Sequence, residues 1–300
     1  MKAYTFGGID IGSNAMRLLI TQVYNYKSHT KFRKISYSRF PLRLGLDVFD
    51  TGIISAQKKE LLIKTLKAYK LLLEVHGADD YKVFATSAMR DAVNGSKIIK
   101  EIFDEIGIDI DIISGKEEAD IIYSKELIRK LGSGKNCIYV DIGGGSTEIS
   151  IFANHEKIDS KSFKIGTLRL MLNKVDNQQW QEMNNWLEQA RAKYNFKFCI
   201  GTGGNINKAS KLLKHKVHTH HFYDLKDIEQ LQEKLEKMTF EERIIKYKLK
   251  PDRSDVIVHA LEIFTSIMRK MDIDQMHVPR IGLADGMIRD MYNQKVKELV

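Results

Sequence analysis

The sequence predicts an α/β protein with two lobes, each built from a mixed sheet with flanking helices. Strand-like and helix-like runs alternate along the 300 residues, as in α/β proteins. The segment 8–20, GIDIGSNAMRLLI, returns as 140–151, VDIGGGSTEISI. The segments 82–92 and 198–209 also match, since each has an apolar strand, a Thr-led turn of small residues and a helix start. Two copies of one unit imply two lobes of related fold.

Short runs of β-branched and aromatic residues predict strands, and apolar residues that recur every three or four positions predict helices. The clearest helix is 56–75, AQKKELLIKTLKAYKLLLEV. In chain order, the first half is predicted to contain strands at 4–24 and 31–40, the helix at 56–75, a strand at 81–86, helices from about Ala88 and at 96–106, a strand at 108–113 and a helix at 116–131.

The pattern then restarts in the second half. Predicted here are strands at 137–143, 147–153 and 156–164, helices through 167–193, a strand at 197–201, a helix from about Asn205, and helices through 225–270 and 283–298. We therefore expect an N-terminal lobe of residues 1–122 and a C-terminal lobe of residues 123–300. The last helix, about 284–300, could pack back on the N-terminal lobe.

Composition limits the class of protein. The net charge of +9 favours anionic partners, although such an excess alone is typical of a well-hydrated surface. No apolar run is long enough to span a bilayer, and the N-terminal residues do not resemble a signal peptide. Cys137 and Cys199 lie in apolar strand-like runs, which predicts buried reduced thiols. We expect a cytoplasmic protein.

The glycine turn at 143–145 predicts a phosphate site. Bare backbone N–H groups in a turn bind anions, and hydroxyl and amide side chains beside both Asp-Ile-Gly turns add donors. If the two turns face each other across a cleft, they form a phosphate clamp. Asp10 and Asp141 would repel a bare phosphate, so they indicate a bridging cation, Mg²⁺ or Mn²⁺.

These motifs resemble the exopolyphosphatase/guanosine pentaphosphate phosphohydrolase (Ppx/GppA) family. The resemblance implies the two-lobed actin-like, sugar-kinase-like ATPase fold with a cleft between lobes, in a short form without the additional helical phosphohydrolase-like region. The matching segments, in order, are 8–20, FATSAMRDAVNG (84–95), IISGKEEADIIY (112–123), YVDIGGGSTEISIF (139–152), IGTGGNINKAS (200–210), PDRSDVIVHA (251–260) and GLADGMIRD (282–290).

By this resemblance, Glu118 is the catalytic carboxylate and Glu117 lies beside it. Hydrolysis of a phosphoanhydride needs a group that orients and deprotonates water. From the residues alone, two carboxylates at the start of the predicted helix 116–131 are an ordinary charge preference. Neighbouring helical residues point about 100° apart, so only one of the two can face the substrate.

Arg17 and Arg90 fall in matching motifs and can grip phosphate through two hydrogen bonds. For Arg90 a surface ion pair is an equal alternative. Glu148 aligns with Arg17 across the repeat and, by resemblance, lies near the metal. The predicted catalytic residues are Glu118 and Glu117; the phosphate ligands are Ser13, Asn14, Arg17, Arg90, Gly143, Gly144, Gly145, Ser146, Thr147, Gly203 and Gly204; the metal ligands are Asp10, Asp141 and Glu148.

The resemblance implies a hydrolase that releases terminal phosphate from polyphosphate or converts guanosine pentaphosphate (pppGpp) to ppGpp. A long polyanion could follow a basic groove on such a protein. Three alternatives remain: an ATP-dependent kinase of the same superfamily, a non-catalytic nucleotide sensor, and a nucleic-acid binder argued from charge alone. The long C-terminal helices could pair two chains into a homodimer.

Some segments depart from the family or invite another interpretation. Asn205 stands where a hydroxyl commonly follows the glycines, and Ala284 and Asp285 replace the more usual Arg-Glu. Both departures bear on substrate preference. The segment 215–221, HKVHTHH, has four histidines but no cysteine or carboxylate, so we interpret it as a surface loop rather than a metal site.

Overall fold

The computed structural model describes residues 2–26, 29–122, 136–154, 156–213 and 222–297. The chain divides into two compact units. Unit 1 comprises Met1–Tyr123 and Gly282–Val300, and unit 2 comprises Ser124–Ile281. Within the described ranges, no helix combines the length and the apolar character needed to cross a membrane.

Unit 1 is a five-stranded mixed sheet with helices. Its elements are β1 (Lys2–Ile11), β2 (Met16–Tyr26), β3 (His29–Phe40), α1 (Leu44–Thr51), α2 (Ala56–Val75), β4 (Asp80–Ala85), α3 (Ser87–Asp91), α4 (Gly95–Ile106), β5 (Asp111–Ile112), α5 (Gly115–Ile122) and, from the far end of the chain, α13 (Leu283–Lys297). The strand order is β3-β2-β1-β4-β5, in which β1–β2 and β2–β3 are antiparallel and β1–β4 and β4–β5 are parallel.

Unit 2 is a six-stranded mixed sheet with helices. Its elements are β6 (Asn136–Ile142), β7 (Thr147–Ala153), β8 (Glu156–Phe163), α6 (Thr167–Met171), α7 (Asn177–Lys193), β9 (Phe196–Thr202), α8 (Gly204–Leu212), β10 (Phe222–Asp224), α9 (Leu225–Glu236), α10 (Phe240–Tyr247), α11 (Pro251–Ser254), α12 (Ile257–Met271) and β11 (Gln275–His277). The strand order is β10-β11-β9-β6-β7-β8.

The two sheets share one topology. The order β3-β2-β1-β4-β5 in unit 1 corresponds to β8-β7-β6-β9-β11 in unit 2, with the same pattern of antiparallel and parallel pairs. Strand β10 is an addition at the edge of the second sheet. The predicted α/β class with two mixed sheets is therefore confirmed.

Local chemistry explains the well-predicted elements. Helix α2 begins after Ser55, whose hydroxyl accepts a hydrogen bond from the N–H of Lys58. Helix α7 begins with a capping box between Asp176 and Gln179. Strand β7, TEISIFA, is buried along its whole length, and its β-branched and aromatic residues suit a strand although Thr147, Glu148 and Ser150 are polar.

Several elements differ from the sequence predictions. Strand β5 spans two residues instead of the predicted 108–113. Helix α1 and strands β10 and β11 were not predicted. The predicted helix 116–131 is observed as α5 up to Ile122, and its remainder lies outside the described residues.

Both cysteines are free and buried, as predicted. Burial raises the pKa of the Cys137 thiol to about 12. Burial, together with the nearby Cys137, raises the pKa of Cys199 further still. Thiols with such pKa values are protonated at neutral pH and therefore unreactive.

Helix α13 completes unit 1 by packing closely on β1 and α5. A Cβ atom added at Gly286 would overlap the backbone carbonyl oxygen of Ile121 in α5. Gly8 of β1 lies close to the backbone of Ala284, because a Cβ there would sit 3.2 Å from its Cα. The glycine at 286 is thus required by the close approach of two helices.

We expect Gly286→Ala to lower the free energy of unfolding by about 1–3 kcal/mol, because the backbone of α5 must move away. The measurement is urea unfolding followed by circular dichroism. Gly282→Ala is the matched control, because a Cβ at Gly282 meets no atom within 4 Å. Equal unfolding midpoints for the two variants would contradict the close approach.

Candidate phosphate and metal site

In unit 1, the turn between β1 and β2 is closed by its own backbone and by helix α1. The N–H of Gly12 donates to the carbonyl of Ala15 at 3.2 Å. The carbonyl of Ser13 accepts from the N–H of Gly45, in the first turn of α1, at 2.9 Å. The short helix α1 is therefore part of the turn's support.

In unit 2, the turn between β6 and β7 is built in the same way. The N–H of Gly143 donates to the carbonyl of Ser146 at 2.9 Å. The carbonyl of Gly144 accepts from the N–H of Leu168, in the first turn of α6, at 2.8 Å. The repeat thus extends beyond the Asp-Ile-Gly motif to the helix that follows the third strand of each sheet.

The glycine turn directs its N–H groups away from α6. The carbonyls of Gly143, Gly144 and Gly145 accept, respectively, from the N–H of Thr167, from the N–H of Leu168 and from the guanidinium of Arg169 at 2.8 Å. Because a peptide group points its N–H opposite to its C=O, the N–H groups that follow these carbonyls face the other side. No backbone carbonyl in the described part of the chain accepts from them. Such a row of N–H groups suits an anion.

Of the hydroxyl groups predicted to bind phosphate, two are already used inside the fold. The hydroxyl of Thr147 donates to the carbonyl of Ile165 at 2.6 Å. The hydroxyl of Ser13 lies 2.7 Å from that of Ser87 and accepts from the N–H of Ala88 at 3.2 Å. These two side chains therefore brace the turns.

The first aspartate of the repeat, Asp10, is neutralised by an arginine. Asp10 on β1 and Arg17 on β2 are directly opposite in the ladder, and their side chains form an ion pair. The carboxylate is buried, and the guanidinium is partly exposed. Such a pair satisfies the buried charge without a cation.

The second aspartate, Asp141, faces another carboxylate instead. Asp141 on β6 and Glu148 on β7 are opposite each other at the equivalent ladder position. Carboxylate oxygens of the two lie within 4.8 Å, and the residues are only 8% and 2% exposed. Two buried negative charges this close repel each other strongly unless they share a proton or a cation.

Hydrogen bonds hold both carboxylates in place. The hydroxyl of Thr202 on β9 donates to Asp141. The hydroxyl of Ser162 on β8 donates to Glu148 at 2.8 Å. Fixed carboxylate oxygens are the ligands preferred by hard cations such as Mg²⁺ and Mn²⁺, so this pair fits a divalent cation.

The two adjacent glutamates of α5 have different environments. Glu117 forms a capping box with Ser114, since its carboxylate accepts from the N–H of Ser114 at 2.7 Å and its own N–H donates to the Ser114 hydroxyl at 3.2 Å. The hydrogen bond from the Ser114 backbone lowers the pKa of Glu117. Glu117 is exposed, whereas Glu118 is half-buried. The Glu117 carboxylate therefore caps the start of α5.

Arg90 contacts the turn that precedes α5. Its guanidinium donates to the carbonyl of Ile113 at 2.6 Å. Ile113 is buried, and its N–H donates to Ala85 of β4. Helix α3, which carries Arg90, is bonded through Ser87 to the turn after β1. The guanidinium of Arg90, a predicted phosphate ligand, therefore already uses one of its N–H groups in a hydrogen bond to the protein backbone.

The turn between β9 and α8 needs a glycine. Gly203 has a φ of 105°, and a Cβ there would lie 2.8 Å from the carbonyl oxygen of Ile142. Gly204 begins α8, and its carbonyl accepts from the guanidinium of Arg253. No pattern in the sequence predicts that Arg253 contacts the carbonyl of Gly204.

The two Thr-led turns differ in register. Thr202 ends its strand opposite Asp141, whereas Thr86 lies beyond β4 at the start of α3, and Phe84 is the residue opposite Asp10. Each Thr-led turn nevertheless joins a strand to a helix, as predicted. Ser162 was also missed, although the β7–β8 hairpin places it opposite Glu148. The histidine segment 215–221 lies outside the described residues.

Comparison with known proteins places this chain among phosphatases. The Ppx/GppA phosphatase family model matches residues 22–295. Exopolyphosphatase 2 of Mycobacterium tuberculosis is 27% identical over 93% of this chain and 95% of its own length. The guanosine-5'-triphosphate,3'-diphosphate pyrophosphatase of Vibrio atlanticus is 24% identical over 96% of this chain but 59% of its own length.

Another relative and two solved structures complete the comparison. The bifunctional 3-dehydroquinate synthase/phosphatase of Fusobacterium nucleatum is 29% identical over 87% of this chain, which spans 42% of that protein. An exopolyphosphatase structure from Cytophaga hutchinsonii has a TM-score of 0.82 at 24% identity, covering 97% of this chain and 98% of its own. The Ppx/GppA family member of Aquifex aeolicus has a TM-score of 0.75 at 23% identity, covering 98% and 99%.

The two solved structures establish the fold, which agrees with the repeated β-sheet topology described above. The family match covers nearly the whole chain, including the glycine turn, the carboxylate pair and α5. The chain therefore belongs to the Ppx/GppA phosphatase family.

Proposed function

We propose that the protein hydrolyses phosphoanhydrides, releasing the terminal phosphate of inorganic polyphosphate, with conversion of pppGpp to ppGpp as the alternative substrate. The observation that carries this proposal is the buried pair Asp141 and Glu148 flanking the glycine turn. Polyphosphate is favoured because the relative matched along nearly the full length of both chains is named an exopolyphosphatase.

The carboxylate pair and the turn have complementary roles in this proposal. Asp141 and Glu148 would hold a divalent cation, Mg²⁺ or Mn²⁺. When bound, that cation supplies positive charge to offset the negative charge of the transferring phosphoryl group. The N–H groups of Gly144, Gly145 and Ser146 would bind the phosphate oxygens. Because the turn already orients these groups, the protein does not have to rearrange during the reaction.

Glu118 is our candidate for the group that orients and deprotonates the attacking water. Its neighbour Glu117 is exposed and engaged in the capping box at the start of α5, whereas Glu118 is half-buried. Arg17 would add positive charge near the phosphate while pairing with Asp10. Two buried free thiols suit a reducing compartment, so we propose a cytoplasmic location.

Replacing Glu118 by glutamine should reduce the rate of phosphate release by about a hundredfold or more, because the amide cannot accept a proton. Glu117→Gln is the matched control and should change kcat by less than about twofold. Release of phosphate from polyphosphate and from pppGpp gives the readout. Transfer of phosphate to an acceptor, instead of release, would identify a kinase and overturn the proposal.

Chelation of divalent cations should abolish activity, and Mg²⁺ or Mn²⁺ should restore it. Asp141→Asn should raise the Mn²⁺ dissociation constant at least about tenfold, because one oxygen ligand loses its charge. Isothermal titration with Mn²⁺ measures this, and Glu156→Gln, an exposed carboxylate of the same unit, is the control. Full activity in the presence of chelator would mean that the pair shares a proton instead.

Arg90→Ala should lower kcat about tenfold and leave KM within about twofold, because the lost contact to Ile113 displaces the turn before Glu118. Added guanidinium should restore part of kcat. Arg33→Ala, an exposed arginine of β3, is the control. A large rise in KM with unchanged kcat would instead identify Arg90 as a phosphate ligand.

A further inference from the structure

The glycine turn of unit 2 is supported on one side by the segment 165–169, which leads into α6. The carbonyl of Ile165 accepts a hydrogen bond from the hydroxyl of Thr147, directly after the turn, at 2.6 Å. A Cβ added at Gly166 would lie 2.4 Å from the carbonyl carbon of Gly145, so only a glycine allows this approach. The segment is therefore in direct backbone contact with the turn.

Three successive carbonyls of the turn point towards this segment. Those of Gly143 and Gly144 accept from backbone N–H groups of the segment, at 3.1 Å and 2.8 Å. The carbonyl of Gly145 instead accepts from Nε of Arg169, at 2.8 Å. The third peptide group of the turn therefore has a cationic side chain as its donor.

The same peptide group provides the N–H of Ser146. Because the N–H and C=O of one peptide group point in opposite directions, this N–H points away from Arg169. Ser146 is only 4% exposed, and no acceptor among the residues that the structure describes takes a hydrogen bond from its N–H. A buried N–H without an acceptor is rare in proteins, so this one points to a bound acceptor.

In the equivalent turn of unit 1, a backbone N–H takes the corresponding place. The two turns can be aligned because Gly12 and Gly143 close them with the same hydrogen bond. In this alignment Asn14 corresponds to Gly145, and its carbonyl accepts from the backbone N–H of Arg43 at 3.1 Å. Unit 2 thus uses a charged donor where unit 1 uses a peptide N–H.

A charged donor on a carbonyl strengthens the N–H at the other end of the same peptide group. Hydrogen bonds from charged donors are roughly twice as strong as neutral ones, and hydrogen bonds in a chain polarise one another. The peptide group between Gly145 and Ser146 therefore presents a more positive N–H than an ordinary peptide group. This gain matters here, because the carboxylates of Asp141 and Glu148 flank the same turn and repel an approaching anion.

We infer that Arg169 is a positioning residue of the phosphate site. It acts through the peptide group between Gly145 and Ser146, which it holds in place and polarises, and it thereby raises the affinity of the glycine turn for a phosphate oxygen. This inference rests on the proposed function. It adds to that function a residue that acts from the side of the turn opposite to the N–H groups, and that was not among the residues predicted from the sequence.

The test measures anion binding and cation binding separately. Arg169→Gln keeps a side-chain N–H donor but removes its charge. Arg243→Gln is the matched control, because Nε of Arg243 also donates to a backbone carbonyl at 2.8 Å, that of Leu235 in α9, and both arginines are half-buried. Each variant is made in the full chain carrying Glu118→Gln. Isothermal titration gives the Kd of tripolyphosphate with Mg²⁺ present, and the Kd of Mn²⁺ without phosphate.

We expect Arg169→Gln to raise the Kd of tripolyphosphate about tenfold, because the hydrogen bond from the Ser146 N–H loses its charge assistance. The Kd of Mn²⁺ should rise less than about twofold, since Thr202 and Ser162 hold the carboxylates without Arg169. The control variant should bind both like the parent. An unchanged Kd for tripolyphosphate would overturn the inference, and so would equal weakening of Mn²⁺ binding or equal weakening by the control variant.

Chemical rescue tests whether the positive charge is responsible. Arg169→Ala, also in the Glu118→Gln chain, should bind tripolyphosphate weakly, and millimolar guanidinium should restore part of the affinity at constant ionic strength. Urea has a similar planar shape and N–H donors but no charge, so it should not restore binding. Rescue by both compounds, or by neither, would overturn the role of the charge.

Hydrolysis by the protein without substitutions separates this inference from the proposed function. If that protein releases no phosphate from polyphosphate or pppGpp while Arg169→Gln still weakens tripolyphosphate binding, the positioning role stands and the proposed activity fails. If phosphate is released but Arg169→Gln keeps the parental Kd, the activity stands and the positioning role is wrong. A parent that binds no tripolyphosphate and releases no phosphate would overturn both.

Discussion

Two carboxylates held opposite each other in a buried ladder are the constraint on which the proposed chemistry of this protein depends. Asp141 and Glu148 cannot move apart, because neighbouring strands fix their backbones and hydroxyl groups on β8 and β9 fix their oxygens. Their mutual repulsion would destabilise the unit if nothing compensated for it. A shared proton or a bound cation relieves such repulsion, and the row of N–H groups in the adjacent turn suits an anion.

The duplicated scaffold shows how little needs to change for a different chemistry. Both units close their first turn with the same hydrogen bond and brace it with the following helix, α1 or α6. At the ladder position opposite the aspartate, unit 1 has Arg17 and unit 2 has Glu148. One side chain therefore replaces a self-sufficient ion pair by a pair of carboxylates that fits a divalent cation, while the ladder pairing and the turn hydrogen bond are preserved.

Sequence patterns predicted the sheets and the turns. They did not predict the tertiary hydrogen bonds that give similar residues different roles. The Asp-Ile-Gly repeat indicated two related sheets because strand register and turn chemistry are local properties. Helix α1 was missed because it is short and is held by a distant carbonyl, that of Ser13. The bond from Arg90 to Ile113 joins residues 23 apart, and no spacing rule reveals it. The capping role of Glu117, by contrast, is a Ser-x-x-Glu pattern that was legible in the sequence.

The return of α13 to unit 1 has a consequence for the order of folding. Strand β1 and helix α5 are synthesised early, yet the helix that packs against both, with Gly286 at the closest point, comes from the far end of the chain. Unit 2 is contiguous in sequence and can form its core from neighbouring segments, whereas unit 1 must await residues 282–297. Contacts of such long sequence separation form late. The helix that carries Glu118 would therefore gain its final support only after residues 282–297 have been synthesised.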